Sequence, residues 1–97
     1  MEKQFYVYIL SSYGKGVLYI GVTSDLIKRV WQHKEKITKG FSSRYRINRL
    51  VYYEIHNTAE HAIIREKKLK KWKRQWKLDL IEKENFQWRD LYLEIIG

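Results

Sequence analysis

The sequence predicts an α/β protein of the α+β type: a three-stranded, mainly antiparallel sheet packed with helices, in the order β-β-α-β-α-α. Two runs of aromatic and β-branched residues flank a glycine-containing turn, and a third run lies near the middle of the chain. Residues that can cap a helix follow both the second and the third run, and apolar residues at helical spacing follow the second. With 97 residues, 44% of them hydrophobic, the chain is expected to form one domain over residues 1–97.

The first two runs predict a β-hairpin. Residues 5–11 are mostly aromatic or branched, which suits a strand buried on both faces. The turn that follows contains Gly14 and Gly16, and glycine can adopt the positive φ angles of tight turns. Residues 17–22 have the composition of a second strand, so the two strands are expected to pair.

A helix is predicted after the second strand. Residues 23–25 are Thr, Ser and Asp, which cap helix N-termini, and Leu26, Val30 and Ile37 recur at helical spacing. This helix is expected to end near Lys36. Residues 38–48 are polar, basic and contain a glycine, which indicates a loop.

The second half of the chain predicts one strand and two helices. Residues 50–56 have the composition of a third strand. Asn57 can cap the next helix, and Glu60, three residues later, can complete a capping box. That helix is expected to end near Lys71, and a third helix over residues 73–83 follows with little or no break.

The charge of the protein is concentrated in one segment. The formal net charge is +9, and residues 65–77, REKKLKKWKRQWK, contain eight basic residues and one acidic residue. A cationic helix attracts polyanions and releases their counterions. The alternative is a solvated basic face that binds nothing. We expect mainly non-specific phosphate attraction from six residues: Lys67, Lys68, Lys70, Lys71, Lys73 and Arg74.

Composition argues against several other classes of protein. The chain has no cysteine, so neither a disulfide nor a thiolate zinc site can supplement the core. The apolar run at residues 5–10 is too short for a signal peptide or a membrane span. The basic segment offers only Leu69, Trp72 and Trp76 to a membrane surface, which would need a wide apolar face. We therefore expect a cytoplasmic protein without a membrane partner.

Two pairs of residues are candidates for a functional site. Tyr8 and Tyr19 can lie near each other across the predicted hairpin. Arg29 and His33 are four residues apart, so they share one face of the first helix. Packing of the tyrosines in the core and a solvated Arg–His pair are the alternatives, and the residues alone leave both open.

Glu66 is the most informative single residue. Helical geometry places it within about 60° of the residues expected to press the second helix onto the sheet. These are Ala59, Ala62, Ile63 and Leu69. A carboxylate on an inward face is costly unless it is paired or binds a cation. A salt bridge to an arginine and a metal ligand are both open, and they are compatible within one cleft.

The order of these features resembles the GIY-YIG nuclease superfamily. The resemblance rests on four features: Tyr6-Val7-Tyr8, Tyr19-Ile20-Gly21, Arg29 and the helical Glu66. The resemblance looks closest to the small stand-alone, YhbQ-type group, and it covers residues 5 to about 92. Further similar segments lie at residues 29–33, 50–54, 65–72 and 85–91.

Two positions depart from the pattern of that superfamily. Tyr6 stands where the namesake glycine of the first motif is found, a variation that the small group tolerates. Phe86 follows Asn85 where relatives often have proline, which affects the local turn but removes no reactive group.

The resemblance implies a set of roles for the site. Glu66 would hold one divalent cation, Mg²⁺ or alternatively Mn²⁺, and Arg29 would stabilise charge on the phosphate. Tyr8 would act as general base with Tyr19 orienting the water, or the reverse, and a nearby cation and Arg29 would lower the phenol pKa. His33 would relay the proton or contact phosphate, and Asn85 would support the site.

The predicted function is therefore a magnesium-dependent endonuclease that hydrolyses phosphodiester bonds, in DNA rather than RNA. It could serve DNA repair within a larger repair or recombination complex. The main alternative is a nucleic-acid-binding module with little or no catalysis, because the basic helix alone would serve that purpose. A structural adaptor is the third possibility. The combined presence of Tyr8, Tyr19, Arg29 and Glu66 favours the nuclease.

Overall fold

The computed structural model describes residues 3–12, 16–35 and 47–97. Its elements are β1 (Phe5–Ser11), β2 (Leu18–Thr23), α1 (Leu26–Glu35), β3 (Arg49–His56), α2 (Ala59–Lys71), α3 (Arg74–Glu84) and α4 (Tyr92–Ile96). The predicted class and the order β-β-α-β-α-α are confirmed, and the short α4 was not predicted. The tip of the hairpin turn, Lys36, Ile37 and most of the predicted loop lie outside the described residues.

The three strands form one antiparallel sheet in the order β2-β1-β3. Tyr8 on the central strand lies opposite Gly21 on β2 and opposite Tyr53 on β3. Residues Val7 to Ser11 are buried, as expected for a strand covered on both faces. The strands β2 and β3 form the two edges of this sheet.

Helices cover both faces of the sheet because successive strand side chains point in opposite directions. On one face, β1 packs with α2 and α3, in a cluster that includes Val7, Ile9, Ala62, Leu69 and Ile81. On the other face, β1 packs with α1, in a cluster that includes Tyr8, Leu10, Leu26, Val30 and Leu50. Tyr8 therefore belongs to the α1 side, whereas α2 approaches from the opposite side.

The predicted cap of α2 is wrong by one residue. The N-cap is Thr58, whose hydroxyl accepts a hydrogen bond from the backbone N–H of His61 at 3.1 Å. Because Ala59 is then the first helical residue, Glu60 occupies the second position and cannot complete a capping box with Asn57. The cap of α1 agrees with the prediction, since Oδ1 of Asp25 accepts a bond from Lys28 N at 3.2 Å.

The C-terminal segment ties β3 to α1. Asp90 accepts hydrogen bonds from Leu50 N at 3.1 Å and from Lys34 Nζ at 2.6 Å. Leu91 N donates to the carbonyl of Leu50 at 2.7 Å. Within residues 3–12, 16–35 and 47–97, no helix has the length and apolar character needed to cross a membrane.

Candidate active site

The close approach of Tyr8 to Gly21 positions the candidate site. The ring of Tyr8 lies across Gly21, so a Cβ atom added to Gly21 would lie 2.5 Å from the Tyr8 hydroxyl and 2.6 Å from Cζ. A side chain at this position would collide with a ring that is almost fully buried. Gly21 therefore lets the phenol of the central strand extend over the edge strand β2, a role that sequence analysis did not assign.

Three rings meet above this glycine. The ring centroids of Tyr8 and Tyr19 are 6.3 Å apart, and those of Tyr19 and His33 are 5.0 Å apart. The hydroxyl of Tyr8 lies 3.3 Å from Nε2 of His33. Tyr8 is 1% exposed and Tyr19 is 39% exposed, so the first is the inner phenol and the second faces solvent. We call this group the Tyr8–Tyr19–His33 cluster.

Two charged residues of opposite sign act on the cluster. Arg29 is exposed on α1, one turn before His33, and its Nη1 donates to Oε1 of Gln32 at 3.4 Å. Glu66 comes from α2 on the other side of the sheet. Both are close enough to influence the pKa of Tyr8, in opposite directions. Arg29 on α1 and Glu66 on α2 therefore act on the same phenol with opposite sign.

Tyr8 is a neutral phenol in this environment. Burial raises the pKa of Tyr8 well above its ordinary range, and the neighbouring Tyr19 and Glu66 raise it further. Arg29 lowers the pKa, as sequence analysis expected, but does not outweigh the burial. The protein groups alone therefore do not generate a phenolate at neutral pH.

Glu66 combines partial burial with an exchangeable partner. Its side chain is 17% exposed, and Oε2 lies 2.9 Å from Nζ of Lys70, whose side chain is 54% exposed. The salt bridge is thus made with a lysine rather than with the arginine considered above. Ala62 and Leu69 are buried as predicted, but Ile63 is 40% exposed, so the inward face of α2 is narrower than predicted.

The donor set of the site fits a hard divalent cation with few protein ligands. In the part of the chain that the structure describes, no group of three or more His, Asp or Glu side chains could together hold a metal ion. Mg²⁺ commonly binds one or two carboxylates and completes its shell with waters and substrate phosphates. Glu66, whose charge influences the pKa of Tyr8, would be a carboxylate ligand of this kind.

The structure places Asn85 apart from the ring cluster. It is buried at the end of α3, where its Nδ2 donates to the carbonyls of Val51 at 3.0 Å and Arg89 at 2.8 Å. Its Oδ1 accepts a bond from Arg89 N at 3.0 Å. These bonds fix the chain after α3 against β3.

The six predicted phosphate-attracting residues are all exposed on α2 and at the start of α3. Their surroundings differ. Lys73 Nζ lies 5.0 Å from the centroid of the Trp76 ring. Arg74 Nη2 donates to the carbonyl of Gly16 at 2.6 Å, which joins α3 to the segment that leads into β2.

Sequence analysis missed a second carboxylate, on β3. Glu54 accepts hydrogen bonds from the hydroxyl of Tyr52 and from Nε of Arg65 at 2.8 Å, and it pairs with Nε2 of His56 at 2.8 Å. Burial alone would raise the pKa of Glu54, but the hydrogen bonds from Tyr52, Arg65 and His56 outweigh it and lower the pKa. The polar residues at alternating positions 52, 54 and 56 are the sequence feature that could have indicated this group of hydrogen-bonded side chains.

The fold and these residues define a GIY-YIG domain: the chain belongs to the GIY-YIG family, whose catalytic-domain model matches residues 4–79. This is a nuclease superfamily, so the coarse function expected from the resemblance is supported. Its members act on nucleic acid and are generally metal-dependent.

Small proteins named UPF0213 are similar to the chain over most of its length. The UPF0213 protein of Staphylococcus saprophyticus is 36% identical over 81 residues, covering 84% of this chain and 96% of the relative. That of Staphylococcus epidermidis is 35% identical over 82 residues, covering 84% and 98%. The solution NMR structure of a UPF0213 protein from Bacillus halodurans superposes with a TM-score of 0.57 and 27% identity, over 90% of this chain and 92% of that one.

Proposed function

We propose that the protein is a metal-dependent endonuclease that hydrolyses phosphodiester bonds in nucleic acid. The observation that carries this proposal is the Tyr8–Tyr19–His33 cluster at the β2 edge, whose buried phenol has a pKa influenced by the charges of Arg29 and Glu66. A binding module would gain nothing from a buried phenol held between two opposite charges. The preference for DNA over RNA rests on the family resemblance.

Arg29 and Glu66 handle the charge of the scissile phosphate. Arg29 binds the phosphate oxygens through its permanently charged guanidinium and stabilises the additional charge of the transition state. Glu66 can exchange Lys70 for a divalent ion because that lysine is exposed. When bound, Mg²⁺ or Mn²⁺ supplies Lewis-acid stabilisation of the phosphate and leaving oxygen.

The proton of the attacking water moves through the ring cluster. The water oxygen bonds to phosphorus while the bond from phosphorus to the leaving oxygen breaks, and the leaving oxygen takes a proton from solvent. Tyr8 accepts the water proton at its oxygen as its own proton passes to Nε2 of His33, 3.3 Å away. This relay suits a phenol with a raised pKa because no free phenolate has to form first.

The more exposed Tyr19 orients the attacking water in this scheme. The reverse assignment, with Tyr19 as base and Tyr8 as the orienting group, makes a different prediction. Tyr19→Phe would then slow cleavage more than Tyr8→Phe does. A comparison of single-turnover rates for the two variants decides between them.

The experiment that tests the proposal is a cleavage assay on branched, nicked, single-stranded and duplex DNA, with matched RNA substrates. We expect cleavage with Mg²⁺ or Mn²⁺, none with EDTA, and a large loss of cleavage rate in the Glu66→Gln variant. The second candidate is a catalytically silent nucleic-acid-binding module, which the basic residues of α2 and α3 favour. Metal-independent binding with no cleavage of any substrate would establish that alternative.

A further inference from the structure

Three basic residues of α2 and α3 make specific contacts, which reach from Glu66 to the segment before β2. Lys70 pairs with Glu66 at 2.9 Å, and Nζ of Lys77 donates to the carbonyl of Lys70 at 3.5 Å. Arg74, three residues before Lys77 and on the same helix, donates to the carbonyl of Gly16 at 2.6 Å. The basic segment is therefore attached to the β2 side of the sheet by specific contacts.

Two of these three cations, Arg74 and Lys77, line a groove. It has a volume of about 480 Å³ and lies beside the start of β2. Its charged lining residues are Arg74 and Lys77, and the complete lining is Ser12, Gly16, Val17, Leu18, Arg74 and Lys77. A groove with cationic residues on one wall and small or apolar residues on the other suits a sugar–phosphate backbone.

Lys68 of the same segment does not share this position. Lys68 lines a different pocket together with His56, His61 and Arg65, which places it toward the β3 edge. Lys68 and Lys70 of one helix thus have different surroundings. The net charge of the basic segment alone therefore does not predict which of its residues contact a bound polyanion.

We propose that a nucleic-acid strand bound at the site runs along the β2 edge, with the phosphates next to the scissile one contacting Lys70, Lys77 and Arg74. We call these three residues the phosphate track. The inference rests on the proposed function, since it places the scissile phosphate at Glu66 and Arg29. It adds Lys77, which sequence analysis did not select, and it separates Lys70 and Arg74 from the other basic residues.

The phosphate contacts follow from the chemistry of the groove. An ammonium or guanidinium group that contacts a phosphate displaces condensed counterions, so each contact adds nearly one unit to the slope of log affinity against log salt concentration. A lysine of the same charge outside the path lowers the net charge equally when it is neutralised but removes no contact. The slope of log affinity against log salt concentration therefore distinguishes a lysine that contacts a phosphate from one that only adds to the net charge.

The test compares Lys77→Gln with Lys83→Gln, both combined with Glu66→Gln so that the strand is not cut. Lys83 is exposed in the last turn of the same helix and serves as the matched control. Dissociation constants are measured by fluorescence anisotropy on a labelled oligonucleotide over a series of salt concentrations. We expect the slope to fall by about one unit for Lys77→Gln, to stay at the parental value for Lys83→Gln, and to recover for Lys77→Arg.

Equal slopes for the Lys77 and Lys83 variants would overturn the phosphate track, and so would the absence of measurable binding by the Glu66→Gln parent. Because these measurements require no cleavage, they separate the track from the nuclease activity. A protein that never cleaves but shows the expected difference between Lys77 and Lys83 would retain the track and lose the proposed function. If the protein with Glu66 intact cleaves its substrate but the two lysine variants have equal slopes, the proposed function is retained and the phosphate track is lost.

Discussion

Glu54 on β3 and Glu66 on α2 are two carboxylates of nearly equal burial, and their surroundings differ. The side chain of Glu54 is 19% exposed and that of Glu66 is 17% exposed. Glu54 is held by Tyr52, His56 and Arg65, whereas Glu66 pairs with the exposed Lys70. Burial alone therefore does not identify a functional carboxylate. The number and exposure of its partners are more informative.

The same contrast explains what each carboxylate can do. A carboxylate with several fixed donors gains stability from them, and replacing any partner leaves a polar group unsatisfied. A carboxylate paired with a long, exposed lysine can exchange that partner for a metal ion at low cost, because surface ion pairs contribute little. We assign Glu54 to the stability of the fold and Glu66 to the chemistry.

The largest expected effect is that of Glu66→Gln on cleavage. The substitution keeps the shape of the side chain and removes the charge that binds the cation. If a metal ion held by Glu66 stabilises the transition state by several kcal/mol, as such ions do, the single-turnover rate should fall by roughly 10³-fold or more. Thermal unfolding should be little changed. A Glu66→Gln protein that cleaves at the parental rate would contradict the assignment.

Tyr8→Phe should have a somewhat smaller effect on the rate. The ring remains across Gly21, so packing is retained, but the oxygen that accepts the water proton is lost. General acid–base groups contribute about 10²–10⁴-fold, and we expect a loss in that range at constant substrate affinity. The control is Tyr53→Phe, which changes another phenol on the same sheet. Equal rates for Tyr8→Phe and the parent would exclude the relay.

Arg29→Ala should slow the chemical step by about 10²–10³-fold, the scale for removing a preorganised donor to the transition state. Lys28→Ala is a matched control because it removes one positive charge from the neighbouring exposed position of α1. If both variants lost activity equally, Arg29 would act through general charge and not through contact with the phosphate. Rates at saturating substrate are the appropriate measurement.

Glu54→Gln should affect stability and leave the site intact. Loss of the charge-assisted bonds to Arg65 and His56 should lower the free energy of unfolding by about 1–3 kcal/mol. The lowered pKa of Glu54 means that its stabilisation is present above the ordinary value of 4.5 and is lost as the pH falls through the folded-state value. Denaturant unfolding against pH should thus show a weaker acid dependence in the variant. An unchanged acid dependence would argue against this role.

Local residue patterns predicted the fold well for the elements whose side chains are buried. The aromatic and β-branched runs at β1, β2 and β3 were sufficient for the sheet, since such side chains fit a pleated, covered surface. Helical spacing placed Glu66 toward the sheet. The short α4 has five residues and no side-chain cap, so nothing local marks it.

The site was less accessible to sequence reasoning because its properties depend on distant contacts. Gly21 resembles an ordinary strand glycine until the ring of Tyr8 is seen to lie across it. The raised pKa of Tyr8 arises from burial between elements that are far apart in the chain. Likewise, Arg65 and Glu54 are eleven residues apart and on different elements, so their ion pair is not visible in any local pattern.

The most direct test of the contrast between the two carboxylates is the binding of Mn²⁺, followed by electron paramagnetic resonance with a nucleic-acid strand present. The parent and Glu54→Gln should each bind about one ion per chain, and Glu66→Gln should bind none at the same concentrations. Measurements are made below the unfolding temperature of the Glu54 variant, so that all proteins are folded. Parental Mn²⁺ binding by Glu66→Gln, or its loss in Glu54→Gln, would contradict the assignment of the metal to Glu66.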